Sequence, residues 1–202
     1  SIRDIEELKG IRKTDSGDIY IGAGTVFSHI TADPVIQECV PVLGEAVDQV
    51  GGPQIRNIGT IGGNICNGAV SADSAPTVFS YNALLHIADD KDGRIVPVRD
   101  FYLGPGRVDL RPGEVLTHVV IPKAEYEGYH GNYIKYSMRN AMDIATLSCS
   151  VVSKVNTATN ILEDVRITFG VAAPVPYRCT ETEELLKGQK LEESLYQKLE
   201  DS

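Results

Sequence analysis

A chain of 202 residues that is 42% hydrophobic and 23% charged has the make-up of one large or two small globular domains. Its formal net charge of -9 argues against a nucleic-acid surface. No apolar run approaches the roughly 20 residues of a bilayer span, and the opening Ser1–Glu6 lacks the apolar core of a signal peptide.

In chain order, Asp18–Gly22 reads as a strand, Ala23-Gly24 as a turn, and Thr25 as a cap for a short helix. Asp33-Pro34 starts a second helix, with an acid at the cap and proline at the first helical position. Pro41 starts a third. Val42, Leu43, Ala46, Val47 and Val50 recur there with helical period, and Gly51-Gly52-Pro53 ends it. Pro76–Tyr81 reads as another short helix. Ala83–Ile87 and Arg94–Val98 flank Asp92-Gly93, a hairpin signal. Gly104-Pro105-Gly106 is expected to be a loop, and Val115–Ile121 a strand stopped by Pro122. Lys123–Gly131 is expected to link to a second unit. That unit has strands at Tyr133–Ser137, Leu147–Val155 and Ile161–Phe169, with a turn at Asn156–Asn160. Apolar residues alternate at Leu147, Cys149, Val151 and at Val165, Ile167, Phe169. Glu183–Lys187 and Leu191–Leu199 read as helical.

The most informative stretch is Gly51–Gly68, with six glycines in eighteen positions and almost no charge. Glycine weakens helix or strand by about 0.5–1 kcal/mol relative to alanine, so neither is expected here. Such a run makes sense where backbone approaches a ligand closely, for instance with successive N–H groups cradling a phosphate. Asp73 follows shortly after, a short acid able to accept from a sugar-type hydroxyl or to cap the helix behind it. Cys39, Cys66, Cys149 and Cys179 form no Cys-x-x-Cys pair, and His29, His86, His118 and His130 form no tight pair. No metal site is expected, and reduced thiols in a cytoplasm are.

Longer motifs carry a resemblance. Gly52-Pro53-Gln54-Ile55-Arg56-Asn57, then Thr60-Ile61-Gly62-Gly63-Asn64-Ile65 and Ser71-Ala72-Asp73-Ser74-Ala75-Pro76, resemble the flavin-binding signature of the molybdopterin dehydrogenases. Ile134–Arg139, Met142–Ala145 and Phe169–Pro174 fit the same family, and its xanthine dehydrogenase branch is the most similar. The resemblance implies an α+β fold. Residues 1–123 would be the second subdomain of an FAD-binding domain of the molybdopterin dehydrogenase (PCMH) type. Residues 124–202 would be an incomplete C-terminal domain like that of the CO dehydrogenase flavoproteins. The family's opening subdomain, with a Gly-Gly-Thr-Asp-type loop for the FAD pyrophosphate, would precede the chain, and its last helices would follow.

The resemblance further implies an FAD subunit of a molybdenum hydroxylase. Electrons from a purine would pass from a molybdopterin-binding large subunit, through a 2Fe-2S small subunit, to FAD and on to NAD. The alternatives are a nicotinate, carbon monoxide or aryl-CoA dehydrogenase, or a flavin-free assembly module. Position by position it places Val50, Thr60, Ile61, Gly62, Gly63, Asn64, Asp73, Leu116 and Lys135 against FAD. On their own residues, Val50 and Leu116 read equally as core, the glycine run as a structural turn, and Lys135 as a cation on the strand face opposite Ile134 and Tyr136. Arg139 and Asp143 read as a surface ion pair. No catalytic acid, base or nucleophile is expected in the chain.

Overall fold

A computed structural model of the chain describes residues 2–192 and Leu195. The strands are β1 (Ile11–Lys13), β2 (Ile19–Gly22), β3 (Leu84–Ala88), β4 (Arg94–Pro97), β5 (Tyr102–Gly104), β6 (Arg107–Val108), β7 (Val115–Ile121), β8 (His130–Tyr136), β9 (Leu147–Asn156), β10 (Ile161–Gly170) and β11 (Tyr177–Arg178). The helices are α1 (Phe27–Ala32), α2 (Pro34–Cys39), α3 (Pro41–Asp48), α4 (Pro53–Arg56), α5 (Ile61–Cys66), α6 (Ser74–Ser80), α7 (Val98–Phe101) and α8 (Thr180–Leu186). None of the described helices is long and apolar enough to cross a membrane.

One antiparallel sheet runs β1-β2-β7-β3-β4, a second runs β11-β10-β9-β8, and β5-β6 form a small hairpin. Ile19 and Ile21 alternate with Tyr20 along β2 and are fully buried against the helices. In the centre of that sheet the register between β3 and β7 shifts at His86/Ile87. The shift brings Leu116 opposite Ile87 and onto the buried side, out of phase with Val119. α3 turns Val42, Leu43, Ala46 and Val47 inward, as its periodicity requires. The Asp33 carboxylate accepts from the Val35 amide, which fixes the start of α2.

Two expectations are corrected and two others are filled in. Thr25 does not cap α1. Its hydroxyl bonds both backbone groups of Gly10, at 3.0 and 3.1 Å, and ties β1 to the β2–α1 turn. The glycine-rich run is helical in two short pieces, α4 and α5. Tertiary partners offset its poor propensity: the Ile61 and Gly62 amides donate to Thr25 and Ala23 carbonyls at 3.1 and 2.9 Å. The Gly104-Pro105-Gly106 loop is the turn of the β5–β6 hairpin, with Gly104 ending β5. The connecting segment Lys123–Gly131 is docked on the first sheet's side: Tyr126 is buried and its hydroxyl donates to the Gly17 carbonyl at 2.6 Å.

The second sheet has its helix-facing side inverted from the apolar alternation. Ser148, Ser150, Val152 and Thr168 are the buried residues, while Leu147 is exposed and Cys149 half-buried. Small hydroxyl residues let α6 lie close, and Ser80 bonds Thr168 side chain to side chain at 2.8 Å. The apolar set faces the other way, where Val151, Val155 and Ile167 pack with Leu162 and Val165 of β10 and with Leu186 of α8. Arg166, only 8% exposed, fastens the sheet to the rest by donating to the Ser80 and Glu125 carbonyls and pairing with the Glu125 carboxylate at 2.8 Å. Of the expected Leu191–Leu199 helix, most lies outside the described residues.

Candidate functional site

α5 begins where Thr60 leaves an extended conformation. Its hydroxyl accepts from the Gly63 amide at 3.1 Å, and its carbonyl accepts from the Asn64 amide at 3.0 Å. Together with the bonds of Ile61 and Gly62, this engages every amide in the first turn of α5 inside the protein. The expected phosphate cradle of free N–H groups is therefore absent from this turn. The two central glycines have different roles. A Cβ on Gly62 would stand 2.6 Å from both the Cβ and the carbonyl oxygen of Ala23, so α5 packs backbone to backbone on the end of β2. A Cβ on Gly63 would meet only the Thr60 hydroxyl, at 3.1 Å, and Gly63 is exposed.

Gly63 opens on a cavity of about 830 Å³, whose walls include Gly24, Val26, Thr60, Gly62, Cys66 and Leu116. That volume lies in the range of small-molecule sites, roughly 300–1,000 Å³. Glu114 stands at its wall and is held by Arg94, which donates to both carboxylate oxygens at 2.7 and 2.8 Å. Arg94, with help from the Arg111 amide, pulls the Glu114 carboxyl down to about 2. A depressed acid stabilises the fold above its ordinary range, and that contribution is lost as pH falls from about 4.5 to about 2. The thermal midpoint of Arg94→Met should therefore fall less steeply than the parent's across that window. Parallel acid limbs would contradict the assignment.

The other expected residues gather elsewhere. The Asp73 carboxylate is 7% exposed and sits ahead of α6 without capping it. It accepts from the Lys135 ammonium at 2.9 Å and from the Tyr133 hydroxyl at 2.8 Å. The Lys135 side chain is 6% exposed and also donates to the Gln49 carbonyl at 3.0 Å, so its bland reading as a solvated face does not hold. Burial pushes the Asp73 carboxyl above its usual range, and Lys135 and Tyr133 pull it back. Lys135 lines a second cavity, about 550 Å³, with Gln49, Gly51, Arg56 and the Ser137–Asp143 loop. In that loop Arg139 and Asp143 pair at 3.2 Å, as expected. Ile61 is fully buried in the core, and Val50 is half-buried against it. Asn64 accepts from the Ser74 hydroxyl at 2.6 Å.

Thr60, Gly62, Gly63 and Leu116 thus share the first cavity and Lys135 lines the second. The Asn64–Ser74 bond, with Asp73 next in the chain, connects the two walls. Sequence reading missed Tyr133, although period-two alternation put it on the same face as Lys135. It also missed Cys66 and Glu114, which carried no motif signal.

A glycine-opened cavity beside an antiparallel sheet and a buried amine–carboxylate pair suit a domain that holds a nucleotide cofactor. Comparison with known proteins narrows that class. Residues 1–124 match the family described as the FAD binding domain in molybdopterin dehydrogenase, and residues 132–201 match the CO dehydrogenase flavoprotein C-terminal domain. The chain belongs to the molybdopterin dehydrogenase FAD-binding family, whose cofactor is FAD. It is 39% identical over 190 residues to a xanthine dehydrogenase FAD-binding subunit of Escherichia coli O157:H7, covering 94% of this chain and 64% of that one. It is 31% identical to the glyceraldehyde dehydrogenase medium chain of Sulfolobus acidocaldarius, covering 96% and 68%. Its fold superposes on the carbon monoxide dehydrogenase of Hydrogenophaga pseudoflava with a TM-score of 0.86 at 30% identity, covering 93% and 64%. The chain thus spans about two thirds of the length of such relatives.

Proposed function

We propose that this chain is the FAD-holding part of a molybdenum hydroxylase of the xanthine dehydrogenase kind. In this reading it works with a molybdopterin-binding large subunit and a 2Fe-2S small subunit, and NAD is the final acceptor. The observation that carries it is Gly63, exposed on a cavity of about 830 Å³ with only the Thr60 hydroxyl near its missing Cβ. The residues fit a flavin nucleotide: an apolar wall at Leu116, a bare backbone at Gly63, and a fixed cation at Lys135. When bound, FAD supplies a carrier that takes electrons singly from iron–sulfur centres and passes them in pairs to a nicotinamide. The protein's part is to admit the cofactor at Gly63, exclude water with Leu116, and set a positive charge with Lys135. Val50, Thr60, Ile61, Gly62, Asn64 and Asp73 complete the proposed contact set or support it from behind.

In the complete subunit, Gly63→Val should lose FAD, because a branched side chain fills the space the cofactor needs. FAD per protein, read from flavin absorbance after gel filtration, checks this. Equal stoichiometry in variant and parent would refute the contact, and a flavin-free parent would leave the assembly-module reading. A carbon monoxide dehydrogenase is the second reading, favoured by the structural likeness. Assaying the assembled complex with xanthine and with carbon monoxide separates the two.

A further inference from the structure

Tyr133 and Lys135 stand two apart on β8 and therefore project to one side of the second sheet. Both reach Asp73, and they take one oxygen each: the phenol donates to Oδ1 and the ammonium to Oδ2. Tyr133 is 4% exposed, so water is not at hand to replace it. Burial and the adjacent carboxylate push the phenol's ionisation well up, and it remains a donor. An ammonium has three N–H groups. Lys135 uses one on Asp73 and one on the Gln49 carbonyl while lining the second cavity, which leaves one for a ligand there. A carboxylate that accepts from two donors is favoured in its ionised form, against the burial that opposes it. The other titratable group beside Tyr133 is the Cys149 thiol on the neighbouring strand.

We propose that Tyr133 is a positioning residue of this site: its hydroxyl keeps Asp73 ionised and oriented so that Lys135 is held at the cavity wall as a fixed, charged donor. Tyr133 itself touches no cofactor in this scheme. What the ammonium acts on rests on the flavin reading. The positioning is a property of the protein alone, and each can fail without the other.

The test uses the complete subunit with ¹³C-labelled aspartate and is run first without cofactor. In Tyr133→Phe, the Asp73 carboxyl should titrate at least one pH unit higher, a tenfold change in proton affinity. Lys135 should also react faster with an amine-modifying reagent. An unchanged carboxyl midpoint would overturn the proposal. Because loss of a buried hydroxyl could unfold the protein, site-specific 3-fluorotyrosine at position 133 provides a second route. Its more acidic phenol donates more strongly and should move the Asp73 midpoint down, and no movement would again overturn the proposal. In the Asp73→Asn background, Tyr133→Phe should leave Lys135 reactivity unchanged, because the phenol acts through the carboxylate. With FAD bound, Tyr133→Phe should shift the flavin absorption bands while retaining full stoichiometry. A flavin-free parent would instead sink the flavin reading and leave the carboxyl result standing.

Discussion

Asp73→Ala should destabilise the fold by about 3–5 kcal/mol, the usual result of leaving one member of a buried ion pair without its partner. The Lys135 side chain is only 6% exposed, and the Gln49 carbonyl is its other acceptor. The loss should appear as a lower urea midpoint with an unchanged slope. Asp73→Ala combined with Lys135→Met should recover most of it, because replacing both members of a buried pair by apolar groups is often nearly neutral. If the double variant is as unstable as the single one, the penalty comes from packing around α6 or from the Tyr133 hydroxyl left without its acceptor, rather than from an orphaned ammonium.

The second large effect falls on Gly62. A methyl group there would stand 2.6 Å from the Ala23 carbonyl oxygen, and backbone cannot step aside as a flexible side-chain tip can. Gly62→Ala should lower stability by about 1–3 kcal/mol or more through overpacking. It also endangers the Gly62–Ala23 and Ile61–Thr25 backbone bonds that keep α5 helical. Gly63→Ala, one residue along the same helix, should stay within about 1 kcal/mol of the parent, since better helix propensity offsets slight crowding of the Thr60 hydroxyl. Urea melts of the two variants decide the matter: equal midpoints would show that the contact with Ala23 relaxes freely.

Local chemistry was legible and tertiary chemistry was not. Asp92-Gly93 announced the β3–β4 hairpin because a left-handed glycine is a local requirement, and Gly93 sits at φ 69°. Asp33-Pro34 announced α2 for the same kind of reason. The glycine-rich run lines a cavity, but its local structure was misread, since α5 depends on carbonyls of Ala23 and Thr25 far back in the chain. The buried face of β9 and β10 was misleading because hydroxyl pairs under α6, rather than apolar side chains, fill that side. Within the candidate site, the glycines and Lys135 were marked by motif. The Asp73–Lys135 pairing and the part of Tyr133 were invisible, because they exist only once β8 packs on α3 and reaches the start of α6.

That pairing spans 62 positions of sequence, and it sets an order of events during synthesis. At about 5–20 residues per second, Asp73 leaves the ribosome several seconds before Lys135 is made. Until then its carboxylate has no cation, and burial of that residue is unfavourable. The start of α6 is therefore expected to stay solvated until β8 brings Lys135 and Tyr133 to Asp73. Chains released before β8 should show the start of α6 accessible to protease, and the site should appear as one of the last parts of the molecule to become protected.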